Sequence, residues 1–97
     1  MHVIKRMTLK VFWNDVPESE SALKSWFKEV EGAQWKGPAD IKKKYGSASI
    51  LKDSRVVFNI CGNKYRLVVR INYTIGIVWI RFVGTHKEYD AINAEAI

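Results

Sequence analysis

The sequence has little of what disulfide scaffolds, metal centres and membrane spans require. Its 97 residues include one cysteine, Cys61, and two widely separated histidines, His2 and His86. A lone cysteine cannot form an internal disulfide, and these ligands are too few for a zinc site or a redox pair. No apolar run approaches the roughly 20 residues of a membrane-spanning helix. We therefore expect no metal, no cofactor and no membrane-spanning segment.

Proline is also scarce, which argues against a linker-rich or disordered chain. With two prolines and 47% apolar residues, the composition predicts one compact domain over residues 1–97. The first ten residues, MHVIKRMTLK, are basic but lack the continuous apolar segment and small-residue cleavage site of a secretory signal. We therefore expect a cytoplasmic protein.

Positive charge is concentrated in the middle of the chain. Between Lys36 and Arg81, ten lysines or arginines stand against two aspartates, a net charge of +8. The remaining residues carry six basic and eight acidic side chains, a net charge of −2. A basic segment attracts polyanions such as nucleic acid, and it equally suits a solvated surface. The charge pattern alone leaves both interpretations open.

Apolar periodicity predicts helices in the first half of the chain. After a very short strand at residues 2–4, residues 5–14 form a helix candidate with Ile4, Met7 and Val11 on one side. A second helix begins at Pro17. The second helix has its apolar stripe at Leu23, Trp26, Phe27 and Val30. It ends between Gly32 and Gly37, and Trp35 is expected in the core. Pro38 opens a short helical turn that reaches Lys44 or Tyr45, and a basic connector follows.

The second half is typical of a three-stranded antiparallel meander. Its strands are RVVFNI, KYRLVVRINY and IVWIRFV, joined by CGN and by a turn around residues 74–76. Period-two alternation places one apolar face toward the helices, formed by Val56, Phe58, Ile60, Tyr65, Leu67, Val69, Ile71, Val78, Ile80 and Phe82. Helices packed on such a sheet, with a short helix after it, give the α+β class.

The opposite side of the meander collects arginines. Alternation exposes Arg55, Val57, Asn59, Lys64, Arg66, Val68, Arg70, Trp79 and Arg81 on that side. Arginine can hold a phosphate with two donors and stack on a base, which lysine cannot do. Arg66 and Arg81 would meet near the sheet centre in a register that sets them opposite one another.

The segment RFVGTHKEYD, residues 81–90, ends the last strand and starts a helix. Thr85 and Glu88 have the spacing of a capping box, which predicts a helix from this point. His86, Tyr89 and Asp90 then neighbour one another on its surface. Metal-free cleavage of RNA needs a base for the 2′-hydroxyl, cations for the phosphate and an acid for the leaving oxygen. His86 with Arg81 and Tyr89 suits this chemistry, while the simpler interpretation is an inert first-turn histidine and a packed tyrosine.

Two segments of the chain together resemble a known family. RVVFNICGNKYRLVVRINY and VWIRFVGTHKEYD are similar to the HigB toxins, within the wider RelE-like group of messenger-RNA interferases. The match is good over roughly residues 50–91, and the helical half fits the family's order. The resemblance implies a compact RelE-like fold, cleavage of translated mRNA at the ribosomal A site, and neutralisation by a helix-turn-helix HigA antitoxin. It also suggests a toxin–antitoxin heterotetramer.

The resemblance also implies a set of site residues. Arg66, Arg81, His86 and Tyr89 match the catalytic positions, and Asp90 matches a position that orients His86 or the helix. The predicted RNA-binding residues are Lys42, Lys43, Lys44, Arg55, Asn59, Lys64, Arg70 and Lys87. Members of the wider group differ in their catalytic side chains, and some use lysine where others use histidine. Lys87 and the lysines at 42–44 are therefore alternative cations for the same reaction.

Two other functions are compatible with this basic surface. One is a non-enzymatic RNA- or ribosome-binding protein that blocks translation and leaves messages intact. The other is a gyrase-poisoning toxin on the same scaffold, since a fold alone does not fix a function. His86 and Tyr89 favour the RNA endonuclease.

Overall fold

The computed structural model describes residues 1–97 as one five-stranded sheet with four α-helices. The strands are β1 (His2–Ile4), β2 (Ser49–Ile50), β3 (Arg55–Ile60), β4 (Tyr65–Asn72) and β5 (Ile77–Thr85). The helices are α1 (Arg6–Asp15), α2 (Glu20–Glu31), α3 (Pro38–Lys44) and α4 (His86–Asp90), with a 3₁₀ turn at Pro17–Ser19. The predicted α+β class is confirmed, and the elements lie within a few residues of their predicted bounds.

The sheet order is β1-β5-β4-β3-β2, so the predicted meander forms its centre. β3, β4 and β5 pair antiparallel, and β1 pairs parallel to β5. The expectation of three strands, with a possible fourth at the start, missed β2. This strand has two exposed residues, which pair with Val57 and Val56 on the edge of β3. A strand this short shows no alternation, which explains why the sequence pattern did not reveal it.

The helices cover one face of the sheet and form the main core with it. Leu23, Trp26 and Val30 of α2 are buried as predicted. Trp26 packs edge-to-face on Phe58 of β3, with ring centroids 5.4 Å apart, and Trp35 lies in the same core. The stripe predicted for α1 is wrong, because Met7 and Val11 are exposed while Leu9 and Trp13 are buried. None of the helices combines the length and apolar character needed to cross a bilayer.

A β-bulge in β5 changes which side chains face the helices. The partner of β4 shifts from Phe82 opposite Val68 to Ile80 opposite Val69, so Arg81 is left without a cross-strand partner. The extra residue moves Phe82 to the face away from the helices, where it packs with Val68. The expectation that Phe82 shares the core face with Val78 and Ile80 is therefore wrong.

Candidate functional site

The sheet face away from the helices, here called the basic face, has three rows of cross-strand neighbours. The row nearest α4 is polar and contains Asn59, Arg66 and Gly84. The middle row is apolar and contains Val57, Val68 and Phe82. The third row, called the arginine row, contains Arg55, Arg70 and Trp79. An apolar strip thus separates two polar regions on one face.

The C-terminal segment covers the apolar row. Ala94 is buried there, and Tyr89 and Ile97 pack against the same cluster as Val57 and Val68. Val57 and Val68 are 3% and 0% exposed, so the expectation that alternation exposes them is wrong. A segment that follows the last helix buries them, and period-two alternation carries no information about such a segment.

The segment is held across the face by two polar contacts. The Arg55 guanidinium donates from Nε and Nη2 to the Ile97 oxygen at 2.9 and 2.6 Å, and from Nη1 to the Asp53 carbonyl. Lys52 Nζ lies 3.5 Å from a carboxylate oxygen of Glu95. Arg55 is therefore already occupied by backbone oxygens, and its predicted contact with RNA stays a prediction.

Helix α4 begins at one end of the basic face, and its start is fixed by a capping box. Thr85 Oγ1 accepts from the Glu88 amide at 3.1 Å, and the Thr85 amide donates to Glu88 Oε1 at 2.8 Å. This confirms the predicted helix start. A Cβ at Gly84 would lie 2.6 Å from the Phe82 ring and 3.0 Å from Glu88 Oε1. Gly84 therefore lets α4 and Phe82 come close to the strand.

His86 and Asp90 form a pair on the exposed side of α4. Nδ1 of His86 lies 3.1 Å from Asp90 Oδ2, and the two side chains are 55% and 61% exposed. A carboxylate acceptor holds the proton of a neutral imidazole on Nδ1, which leaves the Nε2 lone pair free. The predicted neighbourhood of His86 and Asp90 is present, and the arrangement presents Nε2 as a proton acceptor.

The β3–β4 turn brings further cations to this end of the face. The His86 amide donates to the Lys64 carbonyl at 3.3 Å, which joins the turn to the start of α4. Arg66 lies opposite Gly84, and its Nη1 donates to the carbonyls of Asn63 and Tyr65. The other guanidinium nitrogens of Arg66 make no hydrogen bond within the protein. Arg66, Lys64 and His86 are thus grouped around one turn and one helix start.

Glu18 is an acidic member of this end that sequence patterns did not identify. Lys64 Nζ lies 3.6 Å from Glu18 Oε2, and the Tyr65 hydroxyl donates to Glu18 Oε1. The Tyr65 hydroxyl and then the charge of Lys64 lower the pKa of Glu18. The same hydrogen bond raises the pKa of Tyr65 to about 12. Nothing in the sequence near Glu18 indicates a contact this distant along the chain.

Arg81 does not lie opposite Arg66. Arg66 faces Gly84, and Arg81 is the unpaired residue of the bulge, two to three positions back along β5. At about 3.3 Å per residue, the two positions are offset by roughly 7–10 Å along the strand. The register, which the sequence left open, does not set the two arginines opposite one another, and only their flexible side chains can bring them to one phosphate. Arg81 is exposed and has no ion-pair partner within the protein.

The remaining predicted cations differ in how free they are. Lys42 Nζ donates to the carbonyls of Gly46 and Ala48 at 2.6 and 2.7 Å, and so holds the loop after α3. Asn59 Nδ2 donates to the Ser47 carbonyl at 3.2 Å, on the same loop. Among the predicted lysines, Lys43, Lys44 and Lys87 are exposed and have no protein partner. Lys42 and Asn59 have structural roles here, and an RNA contact by any of them stays a prediction.

The polar end of the basic face is an open surface. None of the four clefts in the structure is lined by Arg66, Arg81 or His86. Tyr89 is half-buried, and its ring packs on the apolar row, as the simpler interpretation of this residue expected. Because no cavity encloses the charged side chains, they do not by themselves fix the position of a substrate.

Comparison with known proteins identifies the family to which this chain belongs. Residues 19–92 match the model of HigB_toxin, described as the RelE-like toxic component of a toxin–antitoxin system. The chain is 31% identical to the mRNA interferase toxin HigB of Escherichia coli strain K12, over 97% of this chain and 92% of that protein. The mRNA interferases HigB of Escherichia coli O157:H7 and Shigella flexneri match to the same extent. This chain is therefore a member of the HigB toxin family, as its strand and T-H-K-E-Y-D segments indicated.

Proposed function

We propose that this chain is the mRNA-cleaving toxin of a toxin–antitoxin module and that it cuts RNA through 2′-hydroxyl attack. The observation that carries the proposal is the His86–Asp90 pair beside the Arg66 and Lys64 cations, on a chain similar throughout to proteins named mRNA interferases. A base with an orienting carboxylate and nearby cations is what this reaction needs.

The proposed reaction uses His86 as the base. Nε2 takes the proton of a 2′-hydroxyl, the O2′ atom bonds to the adjacent phosphorus, and the bond from phosphorus to O5′ breaks. Arg66 and Arg81 hold the non-bridging oxygens, on which negative charge develops. Tyr89, the tyrosine of the same helix, gives its phenol proton to the leaving O5′ and is then reprotonated from water. The products are a 2′,3′-cyclic phosphate and a 5′-hydroxyl end.

The openness of the site supports action on the ribosome. Effective catalysis requires that the reacting atoms be held in a defined orientation, and an exposed surface supplies little of this by itself. A message held in the ribosomal A site is already positioned, so the protein has only to bring His86 and the arginines to it. The substrate is therefore translated mRNA in the cytoplasm.

The family assignment also brings a protein partner. A toxin of a toxin–antitoxin system has a cognate antitoxin. In the proposal this antitoxin is a HigA-like helix-turn-helix protein, and toxin and antitoxin assemble as a heterotetramer. Mass measurement of the co-expressed complex tests this stoichiometry, and a 1:1 complex of one toxin and one antitoxin contradicts it.

Message ends in living cells test the proposed function. Wild type, His86→Ala and Arg81→Ala are induced separately, and new 5′ ends on translated messages are mapped by primer extension. Lys28→Gln serves as a matched control, because Lys28 is an exposed lysine on α2, which packs on the other face. The proposal expects new ends with wild type and Lys28→Gln and few with the other two. Growth arrest by the wild type without new ends would instead identify a translation blocker.

A further inference from the structure

The arginine row, at the other end of the basic face from α4, has features that the cleavage reaction does not use. Arg70 is exposed, and its Cζ lies 5.8 Å from the ring centroid of Trp79, its cross-strand neighbour. Trp79 is also the only tryptophan of the four that is not buried, since Trp13, Trp26 and Trp35 all lie in the core. The guanidinium lies over the partly exposed indole, and the two together form a flat surface on which a nucleobase can stack.

The charges of this row indicate an anionic ligand. Arg55 and Arg70 lie directly opposite one another, and like charges in such a pair are destabilising. Backbone oxygens of Asp53 and Ile97 satisfy Arg55, whereas Arg70 has no acidic partner within the protein. A phosphate between the two strands would relieve this repulsion.

A cleft of suitable size lies beside the arginine and the indole. Its volume is about 290 Å³, and its lining includes Arg70, Trp79, Ser54, Asn72 and Thr74. This is close to the lower limit of roughly 300 Å³ for ligand pockets, which suits a single base better than a longer segment. Asn72 Oδ1 is occupied by the amides of Thr74 and Ile75, so its Nδ2 remains free to donate. The cleft therefore offers stacking and a few polar groups that can contact a base edge.

From this geometry we propose that Arg70 and Trp79 form a subsite for one nucleobase of the single-stranded RNA that is cut beside His86. The inference rests on the proposed function and adds a second contact to the same strand. Arg66 and Arg70 are four residues apart on β4, which is about 13 Å. Because the C-terminal segment covers the apolar row between these two positions, the RNA passes over it and this distance is a minimum. At about 3.4 Å per stacked nucleotide, the minimum corresponds to roughly four stacked nucleotides. The subsite binds a base a few nucleotides from the cut.

The indole itself provides the readout. A short 2′-O-methyl RNA, which cannot be cleaved by 2′-hydroxyl attack, is titrated into the protein while tryptophan fluorescence is recorded. We expect quenching in the wild type and none in Trp79→Phe, since the other three indoles are buried. An abasic nucleotide placed at successive positions should remove the quenching at one position only. Quenching that persists in Trp79→Phe, or that no abasic position removes, overturns the subsite.

Affinity gives a second readout that does not depend on fluorescence from Trp79. Trp79→Ala should weaken RNA binding about 5- to 150-fold, the range reported for loss of one stacking aromatic. Arg70→Gln, which alters an exposed side chain, should reduce the slope of log K against log salt by about 0.7. Lys28→Gln removes the same charge from α2 and should leave both quantities unchanged. Wild-type affinity in both Trp79→Ala and Arg70→Gln contradicts the proposal.

Two further experiments identify the RNA that supplies the base. A third comparison, with His86→Ala, separates this inference from the proposed function. If the base belongs to the message, Trp79→Ala changes the nucleotides found near the mapped cuts. If it belongs to ribosomal RNA, Trp79→Ala weakens cosedimentation with empty ribosomes and leaves the cuts unchanged, and this outcome overturns the assignment to the strand that is cut. An effect in neither experiment overturns the subsite. His86→Ala should retain the quenching and lose cleavage, whereas continued cleavage in that variant overturns the proposed function alone.

Discussion

The two faces of the sheet differ in what their side chains contact. On the face toward the helices, residues of four strands and three helices form most of one cluster of 18 buried residues, and positions such as Leu67 and Val69 are fully buried. On the basic face the buried side chains of the three rows are Val57 and Val68, beneath a short C-terminal segment. The comparison indicates that stability depends mainly on the first face. Charged residues can therefore be concentrated on the second at little cost to folding.

The largest effect is expected from a truncation on the face toward the helices. Phe58→Ala removes a ring whose centroid lies 5.0 Å from that of Tyr45 and 5.4 Å from that of Trp26. A buried Phe→Ala change typically costs about 3–5 kcal/mol of unfolding free energy, because it leaves a cavity. Arg70→Gln on the basic face should change it by less than about 0.5 kcal/mol. Urea unfolding of both variants measures the two free energies. Equal losses of unfolding free energy would contradict the claim that stability depends mainly on the face toward the helices.

A large effect on rate, without one on stability, is expected from His86→Ala. A general base contributes roughly 10²- to 10⁴-fold, so cleavage of a ribosome-bound message should fall by this range. The side chain is 55% exposed and pairs with the exposed Asp90, so the thermal midpoint should stay close to that of the wild type. Single-turnover cleavage and a thermal melt measure the two quantities. An unchanged rate would remove His86 from the reaction.

Gly84→Ala should damage the junction between the faces. The added Cβ would lie 2.6 Å from the Phe82 ring and 3.0 Å from Glu88 Oε1, so the ring and the capping glutamate must move. Such overpacking costs about 1–3 kcal/mol. Gly46→Ala is the matched control, because a Cβ there meets no atom within 4 Å. Denaturant unfolding compares the two variants, and equal stabilities would show that α4 tolerates displacement.

Asp90→Asn should have a smaller effect on the reaction. The amide keeps the shape of the side chain but can present Nδ2 or Oδ1 to His86, so the imidazole is less firmly oriented. A net hydrogen-bond contribution of about 0.5–1.5 kcal/mol corresponds to a roughly 2- to 12-fold lower cleavage rate. Single-turnover cleavage of a ribosome-bound message measures the rate, and an identical rate would leave Asp90 without a role in the reaction.

The smallest effect is expected from Glu18→Gln, through the pH dependence of stability. The pKa of Glu18 is lower in the folded protein than its ordinary value of 4.5. Its charge therefore stabilises the fold above about 4.5, and this contribution disappears as the pH falls through the folded-state pKa. The variant should be slightly less stable than the wild type at neutral pH and equally stable in strong acid. Unfolding measured at several pH values tests this. A difference in unfolding free energy between wild type and variant that grows in acid would contradict the prediction.

Local patterns predicted most of the fold because each pattern lies within one element. The α2 stripe, the strand β3 and the capping box at Thr85 all depend on residues a few positions apart, and all are present in the structure. The incorrect predictions concern contacts between different elements of the chain. One inserted residue at Arg81 moves Phe82 to the other face, and only the register of β4 and β5 reveals it.

In the candidate site, too, contacts within one element were predictable and contacts between distant segments were not. The contact between His86 and Asp90 was predictable, because both residues lie on one helical turn. The partner of Lys64 was not, since Glu18 comes from the helical half of the chain. The hydrogen bonds from Arg55 to the Ile97 oxygen could not be predicted either, because the path of the C-terminal segment depends on packing over the apolar row. Only the structure therefore shows which charged residues are free to bind RNA.

The account depends most on the claim that the basic face cuts RNA with the nucleotide's own 2′-hydroxyl. The direct measurement uses a translating ribosome with a message that carries one 2′-deoxy nucleotide at the mapped cut, beside an otherwise identical all-ribose message. The account predicts that the ribose message is cut to a 2′,3′-cyclic phosphate end and that the deoxy message stays whole at that position. Cleavage of both messages at the same bond would contradict it.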